Sequence, residues 1–222
     1  MLSNWISLFR ANPTEGLVTV LIQVPALLLA LILHEISHGY VALWCGDPTA
    51  KMLGRLSLNP SAHLDPLGSL CMVLFGFGWA KPVPVNPRNF RSYVRDDVFV
   101  SLAGVTMNFL LFLVSSFLMV LTLMRAQAQW LIYPYRFFQT FASINLSLAF
   151  FNLLPIPPLD GYHVVNDIVL KGRFHPTREM LIGFQIALLA LLYGTNIITN
   201  LLSTVTGFFW SNVVGFYMRL LA

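Results

Sequence analysis

Residues 17–44, LVTVLIQVPALLLALILHEISHGYVALW, decide the fold of this chain. A membrane-spanning helix needs about 20 mostly apolar residues, and this stretch exceeds that length, with its polar side chains gathered at the end. Pro25 removes one backbone hydrogen bond, a defect that helices in a bilayer tolerate. The stretch therefore predicts a first span over about residues 17–45, and near its end lies the sequence HEISH.

The composition of the whole chain indicates a membrane protein. Of its 222 residues, 57% are hydrophobic and 10% are charged, and the mean hydropathy is +0.72. Soluble domains carry about 25% charged residues, so this composition excludes an ordinary soluble enzyme and makes the lipid bilayer the solvent. The net charge of +4 comes from Lys and Arg scattered between apolar runs. That pattern is typical of loop charges and excludes nucleic-acid binding.

Four more apolar stretches follow the first. The region between the first stretch and the second differs from them in composition. Residues 46–97 are rich in proline and charge, which predicts a structured loop. Within it, residues 67–85 are apolar but interrupted by Gly and Pro, which favours extended, membrane-dipping strands. We therefore expect an all-α polytopic membrane protein: one domain over residues 1–222, with a β element between the first two of about five transmembrane helices. The later spans are predicted at about residues 98–124, 137–158, 180–199 and 205–221.

The distribution of Lys and Arg predicts the orientation. Cytoplasmic loops of membrane proteins carry an excess of these residues. Three of the thirteen fall on one side of the predicted layout: Arg10, Arg125 and Arg136. The other ten fall on the opposite side, which we expect to be cytoplasmic: Lys51, Arg55, Lys81, Arg88, Arg91, Arg95, Lys171, Arg173, Arg178 and Arg219.

The sequence HEISH at residues 34–38 fits the pattern H-E-x-x-H on a helix. Histidines four residues apart are turned by about 400°, so both imidazoles lie on one face and can bind one zinc ion. Glu35 flanks that face, where its carboxylate can accept a proton from water that the metal acidifies and deliver it to a leaving amine. The pattern predicts metal-assisted hydrolysis of an amide.

A catalytic zinc ion takes a third protein ligand and keeps one position open. Asp160 is one candidate, because the prolines that end the third span force extended backbone and Gly161 permits a tight turn there. Such a broken helix end can direct a carboxylate into the bundle. His63, Asp65 and His163 are rival candidates, although each is also explained as a polar residue satisfied by backbone or water.

Four segments resemble the site-2 protease family of intramembrane zinc metalloproteases, in its short bacterial or archaeal form without a PDZ domain. They are HEISH, GWAKPVPVNP at 78–87, SLAGVTMN at 101–108 and NLLPIPPLDG at 152–161. They occur in the order found in that family, between about Leu17 and Gly161. Val105 is a departure, because members often have proline at that position.

The resemblance implies a ligand set and two catalytic residues. His34, His38 and Asp160 would bind Zn²⁺, and Glu35 would be the catalytic glutamate. Asn152 would help to position or polarise the scissile carbonyl. Asn145 precedes it by two helical turns and can face the same cavity, while hydrogen bonding between helices is the alternative explanation for both asparagines.

The leading functional hypothesis is a zinc-dependent intramembrane endopeptidase in a prokaryotic plasma membrane. Its expected substrates are transmembrane proteins or peptides, cut in or near a transmembrane helix toward the cytoplasmic side. Residues 73–85 could offer a sheet edge that binds extended substrate, or form a structural hairpin. The basic residues Lys81, Arg88, Arg91 and Arg95 could contact substrate, solvent or lipid phosphates.

A divalent-metal transporter or metal-sensing membrane protein is the alternative hypothesis. Such a protein would also place His, Glu and Asp inside a bundle, and it would line a path across the membrane with further polar residues. Here the polar residues of the apolar segments cluster toward one side. The pattern therefore favours the protease.

Overall fold

The computed structural model describes residues 2–68, 71, 80–125, 128–174 and 176–221. In these residues the protein is helical, without a strand, as expected for the all-α class. The helices are α1 (Leu2–Ala11), α2 (Pro13–Trp44), α3 (Thr49–Met52), α4 (Tyr93–Met124), α5 (Ile132–Asn152), α6 (Asp160–Ile168), α7 (Arg178–Gly194) and α8 (Ile197–Leu221). Short 3₁₀ turns lie at Pro60–Ala62, Pro87–Asn89 and Gln129–Leu131.

Helix α2 has defined start and stop signals. Asn12 caps it, because its side-chain oxygen accepts hydrogen bonds from the backbone N–H groups of Thr14 at 3.1 Å and Glu15 at 3.2 Å. Pro13 occupies the first turn, where its missing N–H costs nothing. The helix ends where Gly46 adopts a φ of 109°, which favours glycine. These signals fix where the HEISH segment lies along the helix.

Three of the described helices are long and apolar enough to cross a membrane: α2, α4 and α8. Helix α5 has 21 residues and α7 has 17. At 1.5 Å per residue, 17 residues reach about 26 Å, somewhat less than the roughly 30 Å of a hydrocarbon core. The membrane location of the chain is thus supported by three helices, and the count of five spans stays a prediction.

The boundary between the last two helices lies earlier in the chain than the boundary between the last two predicted spans. Thr195 has extended backbone at the end of α7, and α8 already begins at Ile197. Residues 197–204 lie within α8, and the hydroxyl group of Thr204 there donates to the carbonyl of Asn200 at 2.8 Å. The preceding helix, α5, runs from Ile132 to Asn152 and so starts and ends before the predicted limits of 137 and 158.

Helix α4 lies at the centre of the bundle and packs against α2, α5, α6 and α8. Small side chains let the helices approach: Ala26 and Ala30 of α2 pack on Phe141, and Ala142 packs beside Phe112. Helices in lipid associate through such close packing and through polar contacts rather than through the hydrophobic effect. The central position of α4 lets it support the side chains of its neighbours.

In the described part of the loop between α2 and α4, one buried carboxylate joins two segments. Asp47 accepts hydrogen bonds from the backbone N–H of Asn86 and the side-chain amide of Asn89, both at 2.7 Å. Most of the predicted extended stretch, residues 69–70 and 72–79, lies outside the described residues. At its borders, an isolated antiparallel bridge joins Leu64 and Ala80.

Candidate metal centre

Two imidazoles from α2 face each other inside the bundle. His34 and His38 are both buried, and their Nε2 atoms lie 3.0 Å apart. The i, i+4 spacing produces this arrangement, as the sequence predicted, because both side chains leave the helix on the same face. The two nitrogens thus form one side of a potential metal site.

The third donor comes from α6. The Oδ2 atom of Asp160 lies 3.3 Å from Nε2 of His34 and 3.4 Å from Nε2 of His38. The three donor atoms lie within 4.8 Å of one another, which makes this a group able to hold a metal ion. Among the described residues, no other group of three or more His, Cys, Asp or Glu side chains has this geometry.

The position of Asp160 beside the two histidines depends on the segment of chain that precedes it. Prolines at 155, 157 and 158 follow α5, and extended backbone at Leu159 precedes α6. Gly161 packs directly against the backbone of Leu153, where a Cβ atom would overlap the Leu153 carbonyl. Only glycine permits this close approach, which brings the first turn of α6 against the end of α5 and presents Asp160 to the histidines.

Helix α4 fixes the tautomers of both histidines. The Val100 carbonyl, which can only accept, lies 2.7 Å from Nδ1 of His38. The assigned side-chain oxygen of Asn108 lies 2.8 Å from Nδ1 of His34. Both Nδ1 atoms therefore carry the proton, and in neutral imidazoles both Nε2 atoms present lone pairs. Such partners on the outer nitrogens are typical of metal-binding histidines.

This donor set fits a cation. Two nitrogen lone pairs 3.0 Å apart repel each other, and no hydrogen-bond donor reaches the buried Oδ2 of Asp160 within the described part of the chain. A divalent metal would satisfy all three atoms at once. Two imidazoles and one carboxylate, with a fourth position open, are a ligand set found in catalytic zinc sites.

Gly104 of α4 makes room for the histidines. A Cβ atom built on it would lie 2.5 Å from Cε1 and 2.6 Å from Nδ1 of His34, well inside van der Waals contact. The glycine also lies midway between Val100 and Asn108 on one face of the helix. Helix α4 therefore contributes a carbonyl, a gap and an amide oxygen at successive turns.

Glu35 lies beside this group on α2 and is half-buried. One of its carboxylate oxygens accepts a hydrogen bond of 2.9 Å from the backbone N–H of Val83, in the loop before α4. The loop thereby holds the carboxylate on the helix that carries the histidines.

The structure shows different surroundings for the two asparagines of α5. Asn152 ends the helix, and its side-chain amide donates to the Leu148 carbonyl at 3.0 Å. It is next to Leu153, whose carbonyl touches Gly161. Asn145 is fully buried and donates to Phe141 at 2.8 Å, while its side-chain oxygen has no partner in the described residues. The role of Asn152 in positioning substrate stays a prediction.

The rival ligands have other partners. His63 lies 2.7 Å from the Ser57 carbonyl, and Asp65 accepts a hydrogen bond of 2.7 Å from the backbone N–H of Gly68. His163 lies beside Asp97, with 3.5 Å between Nδ1 and Oδ2. The grouping of Asp160 with the histidines separates it from all three rivals.

Sequence reasoning missed the roles of Val100, Gly104 and Asn108. Their signal was present, because they lie four residues apart and share one face of a predicted span. The segment SLAGVTMN contains two of them, yet nothing in the sequence alone states that this face meets the HEISH face. The pairing depends on how α2 and α4 pack.

Known proteins support the same chemistry. The sequence model of "Peptidase family M50" matches residues 114–194, a region that contains Asp160. The Bacillus subtilis (strain 168) protein named "Putative zinc metalloprotease YwhC" is 42% identical over 168 residues, which cover 73% of this chain and 76% of that protein.

More distant relatives carry similar names. The "Putative zinc metalloprotease Rip2" of Mycolicibacterium smegmatis is 29% identical over 71% of this chain and 61% of its own length. The "Putative zinc metalloprotease sll0528" of Synechocystis is 27% identical over 91% of this chain and 45% of its own length. No solved structure matches the chain.

Proposed function

Because the chain belongs to peptidase family M50, the site-2 protease family of zinc metalloproteases, we propose that it is an intramembrane endopeptidase that cuts transmembrane protein or peptide substrates. One observation carries the proposal: the two imidazoles lie on α2, a helix long and apolar enough to cross a membrane. A protease whose metal-binding residues lie on such a helix meets its substrates in the bilayer.

We assign the residues to roles by what each can do. His34, His38 and Asp160 bind the zinc ion, and Glu35 is the general base. When bound, zinc acidifies water toward a pKa of about 7 and polarises a carbonyl group. Asn152 orients the scissile carbonyl from the end of α5. The metal-transport alternative is not favoured, since the relatives are named as metalloproteases.

Glu35 carries the proton in this scheme. Its carboxylate accepts a proton from the attacking water and gives it to the amine that leaves the cleaved peptide. The hydrogen bond from Val83 N–H orients the carboxylate. The apolar helices around the site limit access of bulk water, which strengthens electrostatic interactions there.

The substrate must reach this site as extended chain. The amide bonds of a transmembrane helix are covered by its side chains and already hydrogen-bonded, so the helix has to unwind locally before hydrolysis. We propose that residues 73–85 add the unwound segment as a strand, using main-chain hydrogen bonds that require little sequence specificity. The β element predicted over residues 67–85 would supply this edge.

The topology belongs to the same proposal. Five spans in a prokaryotic plasma membrane, built from α2, α4, α5, α7 and α8, would place the loop of residues 46–97 in the cytoplasm with the metal centre near that face. Residues 1–222 then act as one membrane-embedded protease domain. The ten basic residues on that side support this orientation.

The test compares one peptide sequence in two settings. Purified protein in proteoliposomes is given a substrate whose candidate segment spans the membrane, and separately the same segment in a soluble linker. We expect cleavage of the spanning form, its loss on chelation and its return with zinc, with mass spectrometry locating the cut inside the apolar segment. Cleavage of the soluble form alone would contradict the intramembrane assignment, and zinc flux without cleavage would support the transporter.

A further inference from the structure

A second polar cluster links α4 to the helix that carries Asp160. Asp97 of α4 and Asp167 of α6 are both buried, with 8% and 4% of their surface exposed. His163 lies between the metal centre and Asp167 along α6, and its Nδ1 atom is 3.5 Å from Oδ2 of Asp97. Buried carboxylates are costly unless they are neutralised, so this cluster requires an explanation.

The two carboxyl groups are neighbours. Asp97 and Asp167 act on each other's ionisation, and Oδ2 of Asp167 is buried without a hydrogen-bond donor among the described residues. Two carboxylates share a site at low cost only if one of them is protonated, since its O–H can then donate to the other. A shared proton would give the Asp167 oxygen its missing partner.

The same faces of α4 and α6 also contact the metal centre. On α6, Asp160, His163 and Asp167 are spaced by three and four residues and share a face. On α4, Asp97 precedes Val100 by about one turn, and the Val100 carbonyl accepts from His38. Contacts at Asp97 therefore fix α6 against the helix that already orients the histidines.

We propose that Asp97 and Asp167 share one proton and, together with His163, position α6 so that Asp160 points at the metal centre. All three are positioning residues for the zinc chemistry. The inference rests on the proposed ligand role of Asp160, but the docking of α6 on α4 can be measured without any metal.

Charge makes this positioning dependent on pH. Burial, followed by the hydrogen bond and charge of Asp97, raises the pKa of Asp167 from 3.8 to about 6. The hydrogen bond with Asp97 also raises the pKa of His163 above 6.5, against the opposing effect of burial. Among the described residues, the other titratable groups that face the cluster are Tyr93 of α4, Tyr162 of α6 and, toward His163, Asp160.

The raised pKa values of Asp167 and His163 have the same effect on the stability of α6 docking. A group whose folded pKa is raised contributes stability that is complete below its ordinary value and is lost as pH rises through the folded value. For Asp167 this loss falls between 3.8 and about 6, and for His163 it begins above 6.5. We therefore expect α6 to dock most firmly on the acidic side of neutrality.

The test measures α6 and zinc separately in the full-length protein. Hydrogen exchange of residues 160–168 is followed in zinc-free protein at pH 4 and 7.5, and zinc loss to a chelator is timed in the loaded protein at the higher pH. Asp167→Asn replaces the shared proton by a permanent amide donor. Asp97→Asn is the second variant, and Glu179→Gln, which removes an exposed charge from α7, is the control.

We expect Asp167→Asn to match the parent at pH 4, where both side chains are neutral, and to protect α6 better at pH 7.5. At the higher pH it should also release zinc more slowly, by about 10-fold, the lower end of the effect of residues that orient metal ligands. Asp97→Asn should likewise flatten the pH dependence, and Glu179→Gln should follow the parent.

Three outcomes decide the inference. If parent and variants differ by the same factor at both pH values, or not at all, the shared proton is overturned. If α6 exchange responds to pH in the parent and in Glu179→Gln but not in the two aspartate variants, and zinc release follows it, the inference is supported. If exchange responds and zinc release does not, the docking of α6 stands, while the ligand role of Asp160 in the proposed function falls.

Discussion

The two histidines of the metal centre have little freedom to rotate or to change their hydrogen bonds. The Nε2 atoms of His34 and His38 lie 3.0 Å apart, and the outer nitrogen of His38 is committed to the Val100 carbonyl. A neutral pair of imidazoles cannot rotate away from this repulsion without giving up its contacts with α4. The residues are thus arranged for a cation before any cation binds.

Glu35→Gln should keep zinc and lose proteolysis. The amide preserves the shape of the side chain and can remain near Val83, but it cannot accept a proton from water. We expect a loss in turnover of about 10²–10⁴-fold, the usual contribution of a general base. Metal analysis of the purified variant beside a membrane-substrate assay checks this. Normal turnover would remove Glu35 as the base, and loss of zinc would make it a ligand.

Asp160→Ala should weaken zinc binding by more than the 10–100-fold typical of a residue that merely orients a ligand. The change leaves two histidines and removes the only charged donor of the group. Zinc content after mild chelation is the measurement, and Asp65→Ala is the control, since Asp65 lies outside that group. Asp160→His should retain more metal than Asp160→Ala, because imidazole also binds zinc. Retention of zinc by Asp160→Ala would show that the third ligand lies elsewhere.

Some residues of this site could be predicted from the sequence more directly than others. His34, Glu35 and His38 lie within about one helical turn, so their arrangement follows from helix geometry alone. Asp160 was one candidate of four until the family resemblance selected it. The contact of Asn108 with His34 joins residues 74 positions apart, and no local pattern sets the register between two packed helices.

At the scale of elements, α4 supports the centre and Gly104 is its most sensitive position. Gly104→Ala should lose zinc although alanine favours a helix by about 1 kcal/mol over glycine. The added Cβ would lie 2.5 Å from His34 Cε1, and helix propensity cannot offset that overlap. Gly183→Ala in α7 is a matched control, since open space surrounds that glycine. Zinc content and thermal unfolding of both variants give the answer, and equal zinc in the two would refute the close packing.

The elements themselves were predictable where composition changes sharply. The apolar run of residues 17–44 became α2, with its start displaced to Pro13 by the Asn12 cap. The boundary between α7 and α8 lies before the predicted one, because the polar residues after Ile197 continue the helix: the hydroxyl groups of Ser203 and Thr204 both donate to the Asn200 carbonyl within α8. In lipid, a hydroxyl group donates a hydrogen bond to a carbonyl of its own helix. Ser and Thr therefore interrupt a membrane-spanning helix less readily than a soluble helix.

For the whole molecule, the predicted topology can be tested with two introduced cysteines. Ser92, before α4, and Gln129, before α5, are both exposed. In sealed cells we expect Gln129→Cys to react with an impermeant reagent and Ser92→Cys to react only after lysis, because the basic loop should be cytoplasmic. The parent, which has Cys45 and Cys71, supplies the background. Reaction of both from one side would contradict the layout and leave the metal centre unaffected.

The separation of the donor residues along the chain has a consequence for biosynthesis. His38 enters the membrane with α2, whereas Asp160 follows 122 positions later, after α4 and α5. Chains are made from the N-terminus at about 5–20 residues per second, so the nascent protein carries an incomplete centre for several seconds while it is surrounded by other newly inserted helices. Under the proposed function, splitting the donors between an early and a late helix delays cleavage of those neighbours until Asp160 has been made and folded against α2.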